Sequence, residues 1–208
     1  MGTPDPRLDS HGALDIRLKN QLRHYSKRDP PPRRVKPIPI PVLRRLVELV
    51  ASDPNASESR KAIMDLVILA YYFLMRPGEY CNSTGEDSSH PFHTDELELW
   101  LGNRKLDLAT ATDQELLTAT FCMLEFSEQK NADRGEQVGH ATSGDYLFCP
   151  VRALARRVIH LRRNGAPAHT PIHCYYEQHR GRQQRVPATS INILLRQAAT
   201  LLGYDPAG

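Results

Sequence analysis

Residues 66–74 read LVILAYYFL, an unbroken apolar and aromatic run, and no other stretch limits the fold of this chain as strongly. A helix that is apolar on every side must be surrounded by other elements. The run therefore predicts a central helix over roughly 57–76, with Ser57 as its cap. The most hydrophobic part, Ile63 to Met75, falls short of the about 20 residues a bilayer span needs and contains Asp65. The run then stops on Arg76, Pro77, Gly78 and Glu79. Pro77 disfavours helical geometry at the residue before it, so the helix ends at Arg76 or one residue earlier. An arginine and a glutamate three apart at such a stop allow two readings. One is a charged end that complements the helix dipole. The other is a guanidinium on a rigid frame, whose fork fits the oxygens of a phosphate.

The flanking elements follow from periodicity and breakers. Residues 13–25 predict a basic amphipathic helix, with Leu14, Leu18 and Leu22 at helical spacing. Prolines at 30, 31, 32, 37, 39 and 41 then forbid regular helix and favour extended, semi-rigid chain. The chain thus divides into an N-terminal helical region over 1–26, a Pro/Arg-rich linker over 27–41 and a main domain over 42–208. A short helix follows the linker over roughly 41–51. DELELWLGNRKLDL, LLTATFCMLEF and EQVGHATS carry the alternation of strands, and SEQKNADRG joins the last two as a hairpin-like turn. Trp100 is expected to pack on this sheet rather than to serve as a base-stacking platform, and HPFH (His90 and His93) to be a loop leading into it. CPVRALARRVIHLRRNGA predicts a helix with Pro150 in its first turn and Gly165 as its stop. TPIHCYY is a short extended piece before a polar loop, and ATSINILLRQAATLLG a last helix. The expectation is an α+β fold, mainly helical, with a small antiparallel three-stranded sheet.

Charge is unevenly placed although the net value is only +3. Basic residues crowd 17–45, including Arg33, Arg34 and Lys36, and crowd 150–196, including Arg152 and Arg156. Between 79 and 128 the charges are mostly acidic. Clustered Lys and Arg gain affinity for a polyanion by releasing its counterions. The four cysteines, Cys81, Cys122, Cys149 and Cys174, are far apart and form no CxxC pair. That spacing carries no zinc signature and no compact disulfide framework, and fits reduced intracellular thiols. The first residues lack the apolar core of a signal peptide. A soluble, unsecreted protein is expected, nuclear if eukaryotic and otherwise cytoplasmic.

Lys130 falls at the tip between two predicted strands, where an amine can be a solvated charge or can reach a bound strand and donate a proton. A buried helix ending FLMRPGEY, then a sheet with EQKN in its last hairpin, then CPVRALARRVIHLR, resembles the catalytic domain of tyrosine recombinases, the phage-integrase-like family. Within it, the chain resembles the integrase-like proteins of eukaryotic mobile elements, over roughly residues 27–206.

That resemblance implies a protein of DNA integration and recombination, acting on double-stranded DNA through a phosphotyrosyl intermediate with no metal or other cofactor, with a possible homo-oligomer on DNA. It implies that Arg76 contacts the scissile phosphate, that Glu79 buttresses it, and that Lys130 protonates the departing oxygen. Arg33, Arg34, Lys36, Arg152 and Arg156 would contact the DNA backbone. The family also uses a His-x-x-Arg box and a tyrosine nucleophile beyond a helix like INILLRQAATLLG, and these are missing from the 208 residues. His160 with Arg163, and His179 with Arg182, match the bare pattern but precede the expected place, as does Tyr204. The expectation is a protein inactive alone in strand cleavage. A non-catalytic DNA-binding remnant and a helical interaction domain remain the alternatives.

Overall fold

The computed structural model describes residues 7–8, 11–16, 18–21, 23, 37–82, 91–126, 135–177 and 181–205. The chain divides into two compact units, Met1–Pro37 and Ile38–Gly208. In the first, Leu8 and Leu14 form an antiparallel bridge, and residues 16, 18–21 and 23 are helical. Helix thus begins after Leu14, whose backbone is taken by the bridge.

The second unit is built around the apolar run. Helix α1 (Ile40–Ala51) has proline in its first turn and buries Val42, Leu43, Leu46, Val47 and Val50 on one face. Helix α2 (Glu58–Phe73) starts where the Ser57 hydroxyl accepts from the Arg60 N–H at 3.3 Å. Ile63, Leu66, Ile68 and Leu69 are each at most 1% exposed, which makes α2 the central helix its sequence predicts. A single turn, α3 (Pro77–Tyr80), follows it. Strands β1 (Leu97–Leu101), β2 (Arg104–Lys105), β3 (Phe121–Phe126) and β4 (Glu136–Ala141) form an antiparallel sheet in the order β2-β1-β3-β4, with a short helix α4 (Asp113–Leu117) before β3. Helix α5 (Pro150–Arg163) packs on α2 and backs the sheet. A separate ribbon pairs β5 (Cys174–Tyr176) with β6 (Gln183–Arg185), and α6 (Ala188–Leu201) packs on α1.

The α+β class holds, but the sheet differs from the expected three strands. DELELWLGNRKLDL folds back on itself: Gly102 adopts φ +60, and Leu101 pairs with Arg104 across a two-residue turn, which adds β2. LLTATFCMLEF is likewise not one strand. The sequence TDQE is a capping box in which the Thr112 hydroxyl accepts from the Glu115 N–H at 3.2 Å. It nucleates α4, and the strand starts only at Phe121. The polar loop expected after TPIHCYY supplies β6. The central helix ends three residues before Arg76, because Leu74 takes the left-handed conformation at φ 53.

The core face of the sheet carries Leu97, Leu99, Cys122, Leu124 and Phe126, all buried. Trp100, Phe121 and Met123 alternate with them, face away from the core and are half-buried. Asp65, inside the apolar run, is buried against Arg156, whose Nε donates to its Oδ1 at 2.7 Å. Burial raises the Asp65 pKa and Arg156 opposes the shift. No helix among the described residues is long and apolar enough to cross a membrane.

Candidate functional site

The left-handed Leu74 turns the chain out of α2, and Met75 drops back into the core. Arg76 is then extended (φ −77, ψ 153), the geometry that a following proline imposes. Pro77 opens α3, and Glu79 reaches back: its Oε2 accepts from the Arg76 backbone N–H at 2.7 Å. The Glu79 N–H in turn donates to the Arg76 carbonyl at 2.9 Å. Glu79 is 8% exposed, whereas the Arg76 side chain is 44% exposed. The Arg76 Nη1 lies 4.0 Å from Glu79 Oε1, the outer limit of an ion pair. Among the described residues this guanidinium makes no side-chain hydrogen bond, and its donors are half-exposed beside one buried carboxylate. Such a fork is suited to a bidentate oxyanion.

Neighbouring segments fix the turn. The Phe92 N–H donates to the Glu79 carbonyl at 3.1 Å, and the Ile172 N–H to the Phe92 carbonyl at 2.8 Å. The Asn82 N–H donates to Val186 at 2.8 Å, and the Ala188 N–H returns to Asn82 at 3.3 Å, which ties the turn to the β6–α6 junction. Beneath this web His173 is 2% exposed, and neither of its ring nitrogens has a hydrogen-bond partner among the described residues. Burial, then the charges of Arg185, Arg157 and His93, push its pKa down to about 4. It is therefore neutral at pH 7.

The cysteines are all buried. Burial pushes the Cys81 thiol up to about 11 and the Cys122 thiol up to about 12, so neither ionises near neutrality as a nucleophile must. No group of three or more His, Cys, Asp or Glu residues among those described is placed to hold a metal ion. His93 stacks on His169 with centroids 3.9 Å apart, and each ring nitrogen Nδ1 faces a carboxylate, of Glu96 and Asp95 respectively.

The structure places the other expected site residues as follows. Lys130, Arg33, Arg34 and Lys36 lie outside the described residues, as does His179. Arg152 donates from Nη1 to the Leu117 carbonyl at 3.0 Å, and its guanidinium sits 4.5 Å from the centre of the Tyr146 ring. Arg156 is engaged by Asp65. The neighbouring arginines of α5 also have partners within the fold. Arg157 is buried and donates to the carbonyls of Ile172 and Cys174, while Arg162 and Arg163 share Asp113. The basic helix directs most of these charges to acceptors within the fold, and the run of basic letters gave no sign of it. His160 receives the Tyr176 N–H on Nε2 at 3.0 Å and sets Nδ1 3.1 Å from Glu58, a structural histidine well occupied on both sides. Tyr71 and Tyr72 pack with Phe148 in an aromatic cluster, and Tyr204 is exposed.

Of the expected groups, the structure brings together Arg76 and Glu79. Their mutual contact was readable because it is local, with Pro77 and the i,i+3 spacing setting it. The outward aromatic face of the sheet was missed, although the alternation of ELW and FCM contains it. No protein-family model, no curated protein and no solved structure matches the chain.

Proposed function

We propose that this chain is a DNA-binding protein of the tyrosine recombinase or phage-integrase type, in which Arg76 grips a backbone phosphate. The observation that supports this reading best is the exposed guanidinium of Arg76, held at its backbone by the buried carboxylate of Glu79 at 2.7 Å. The backbone at Arg76 is fixed in this way, so the guanidinium is carried from a set point on the fold, and its planar fork suits a bidentate phosphate contact. Glu79 is the positioning residue: it fixes the backbone that carries the fork. In this reading Lys130 works with Arg76 at the same phosphate, and Arg33, Arg34 and Lys36 add contacts that position without reading sequence.

The test is duplex binding followed by fluorescence anisotropy at several salt concentrations. Affinity is expected to fall steeply with salt, because bound phosphates release counterions. Arg76→Gln is expected to weaken binding about tenfold, as loss of one charge-assisted contact does. Failure of the intact protein to bind duplex DNA even at low salt would falsify the reading and leave a helical interaction domain.

A further inference from the structure

The outer face of an antiparallel sheet is normally polar where it meets water. Here it is not. Trp100 stands directly opposite Phe121 across β1 and β3, and Met123 lies in the next row opposite Gly139. Between them is a cleft of about 320 Å3 lined by Trp100, Phe121, Met123 and the turn residues Gly102 and Asn103.

Two features show how the cleft is shaped. Gly139 has no side chain, and a Cβ there would stand 2.1 Å from the tip of the Phe121 ring. The ring therefore leans across β4, over the backbone of Gly139. The indole of Trp100 is held by its edge: Nε1 donates to Glu98 Oε2 at 3.0 Å, and the other oxygen of Glu98 accepts from Lys105. That pairing also compensates the Glu98 charge, and none of the residues lining the cleft is charged. No free carboxylate lines the cleft to add its charge to the ring faces, so the cleft favours a neutral ring over a cation. What remains is a fixed aromatic wall, a thioether, and one exposed amide, Asn103, at the rim.

We infer that this cleft is a binding site for a neutral planar heteroaromatic ring, an unpaired nucleobase, which stacks on Trp100 and Phe121 and offers its edge to Asn103. Aromatic side chains on a sheet face stack on bases of any sequence. An amide supplies a donor and an acceptor side by side, the pattern that a base edge complements. Met123 adds a polarizable contact to the ring. The site does not use Arg76 and stands independently of the phosphate reading.

Trp100 is the one tryptophan of the chain, so its emission reports on this cleft alone. The full-length protein is titrated with a single-stranded deoxyoligonucleotide, with an abasic strand of the same length, and with N-acetyltyrosinamide. Saturable quenching by the base-bearing strand, and by neither of the others, is expected. Phe121→Leu keeps apolar bulk but removes the ring, and should weaken that binding about tenfold or more. Asn103→Ala, in the exposed turn, should weaken it severalfold with unchanged thermal unfolding. Equal quenching by the abasic strand, quenching by the tyrosine amide instead, or unchanged affinity in both variants would overturn the inference. Arg76→Gln should leave the single-strand signal intact while it weakens duplex binding, so each reading can fail without the other.

Discussion

Leu74 shows what a single residue can reveal about this fold. It is the only described non-glycine residue with positive φ, at 53, and its side chain is not hidden, with 87% of the residue exposed. A left-handed L-residue costs about 1–2 kcal/mol, and here no packing of the side chain offsets it. Leu74→Gly should therefore raise stability, by about 0.5–1 kcal/mol after the extra freedom of glycine in the unfolded chain is deducted. Urea denaturation measures this, and a lower midpoint in the variant would refute the strain. Glu79 makes the complementary point. Its carboxylate is buried and carries the backbone of Arg76, so it matters through geometry more than through charge.

At the level of elements, α2 and α5 are joined by chemistry as well as by apolar packing. Asp65 and Arg156 form an ion pair with the aspartate almost wholly buried. Such a pair gains little over apolar residues of similar shape, yet removing one partner strands the other. Asp65→Ala should cost about 3–5 kcal/mol in equilibrium unfolding. The double replacement Asp65→Leu with Arg156→Met should recover most of that loss. Failure of the double variant to recover would mean that the pair holds the helices by more than mutual neutralisation. The same helix explains why counting basic residues misleads: Arg157 and Arg162 answer carbonyls and Asp113, while Arg163 pairs with Asp113 at the exposed end of the helix.

For the molecule as a whole, stability should depend on pH in two stages. His173 has its pKa pushed down to about 4 in the fold, by burial first. The unfolded value is about 6.5. The unfolded chain therefore binds the proton more readily, and the contribution of His173 is full above pH 6.5 and lost as pH falls towards 4. The loss is on the order of 3 kcal/mol. His160, lowered by burial and by Arg157, acts in the same direction. Below that window the carboxylates take over. Glu115, held down to about 2 by Arg104 and Thr112, and Asp145, lowered by its backbone contact to Phe148 and by Arg44, stabilise the fold until they protonate. Thermal unfolding from pH 7 to 4 should show the first stage, and His173→Phe should flatten it. A wild-type midpoint constant across that range would contradict the assignment.

Features that act over a few residues were fixed by the amino-acid order alone. The all-round apolarity of 66–74 demanded a central helix, Ser57 and Pro150 marked helix starts, and the RPGE spacing made the Arg76–Glu79 contact inevitable once the chain turned. Backbone conformation and capping are local terms, and they leave local signatures. The tertiary structure alone decided which partner each buried polar group found. Asp65 met Arg156, Arg157 met the carbonyls of Ile172 and Cys174, and His173 met none among the described residues. It also decided that Gly139 would leave room for Phe121, and with that the cleft beside Trp100. Desolvation and close packing depend on which atoms arrive from far along the chain, and linear spacing does not carry that information.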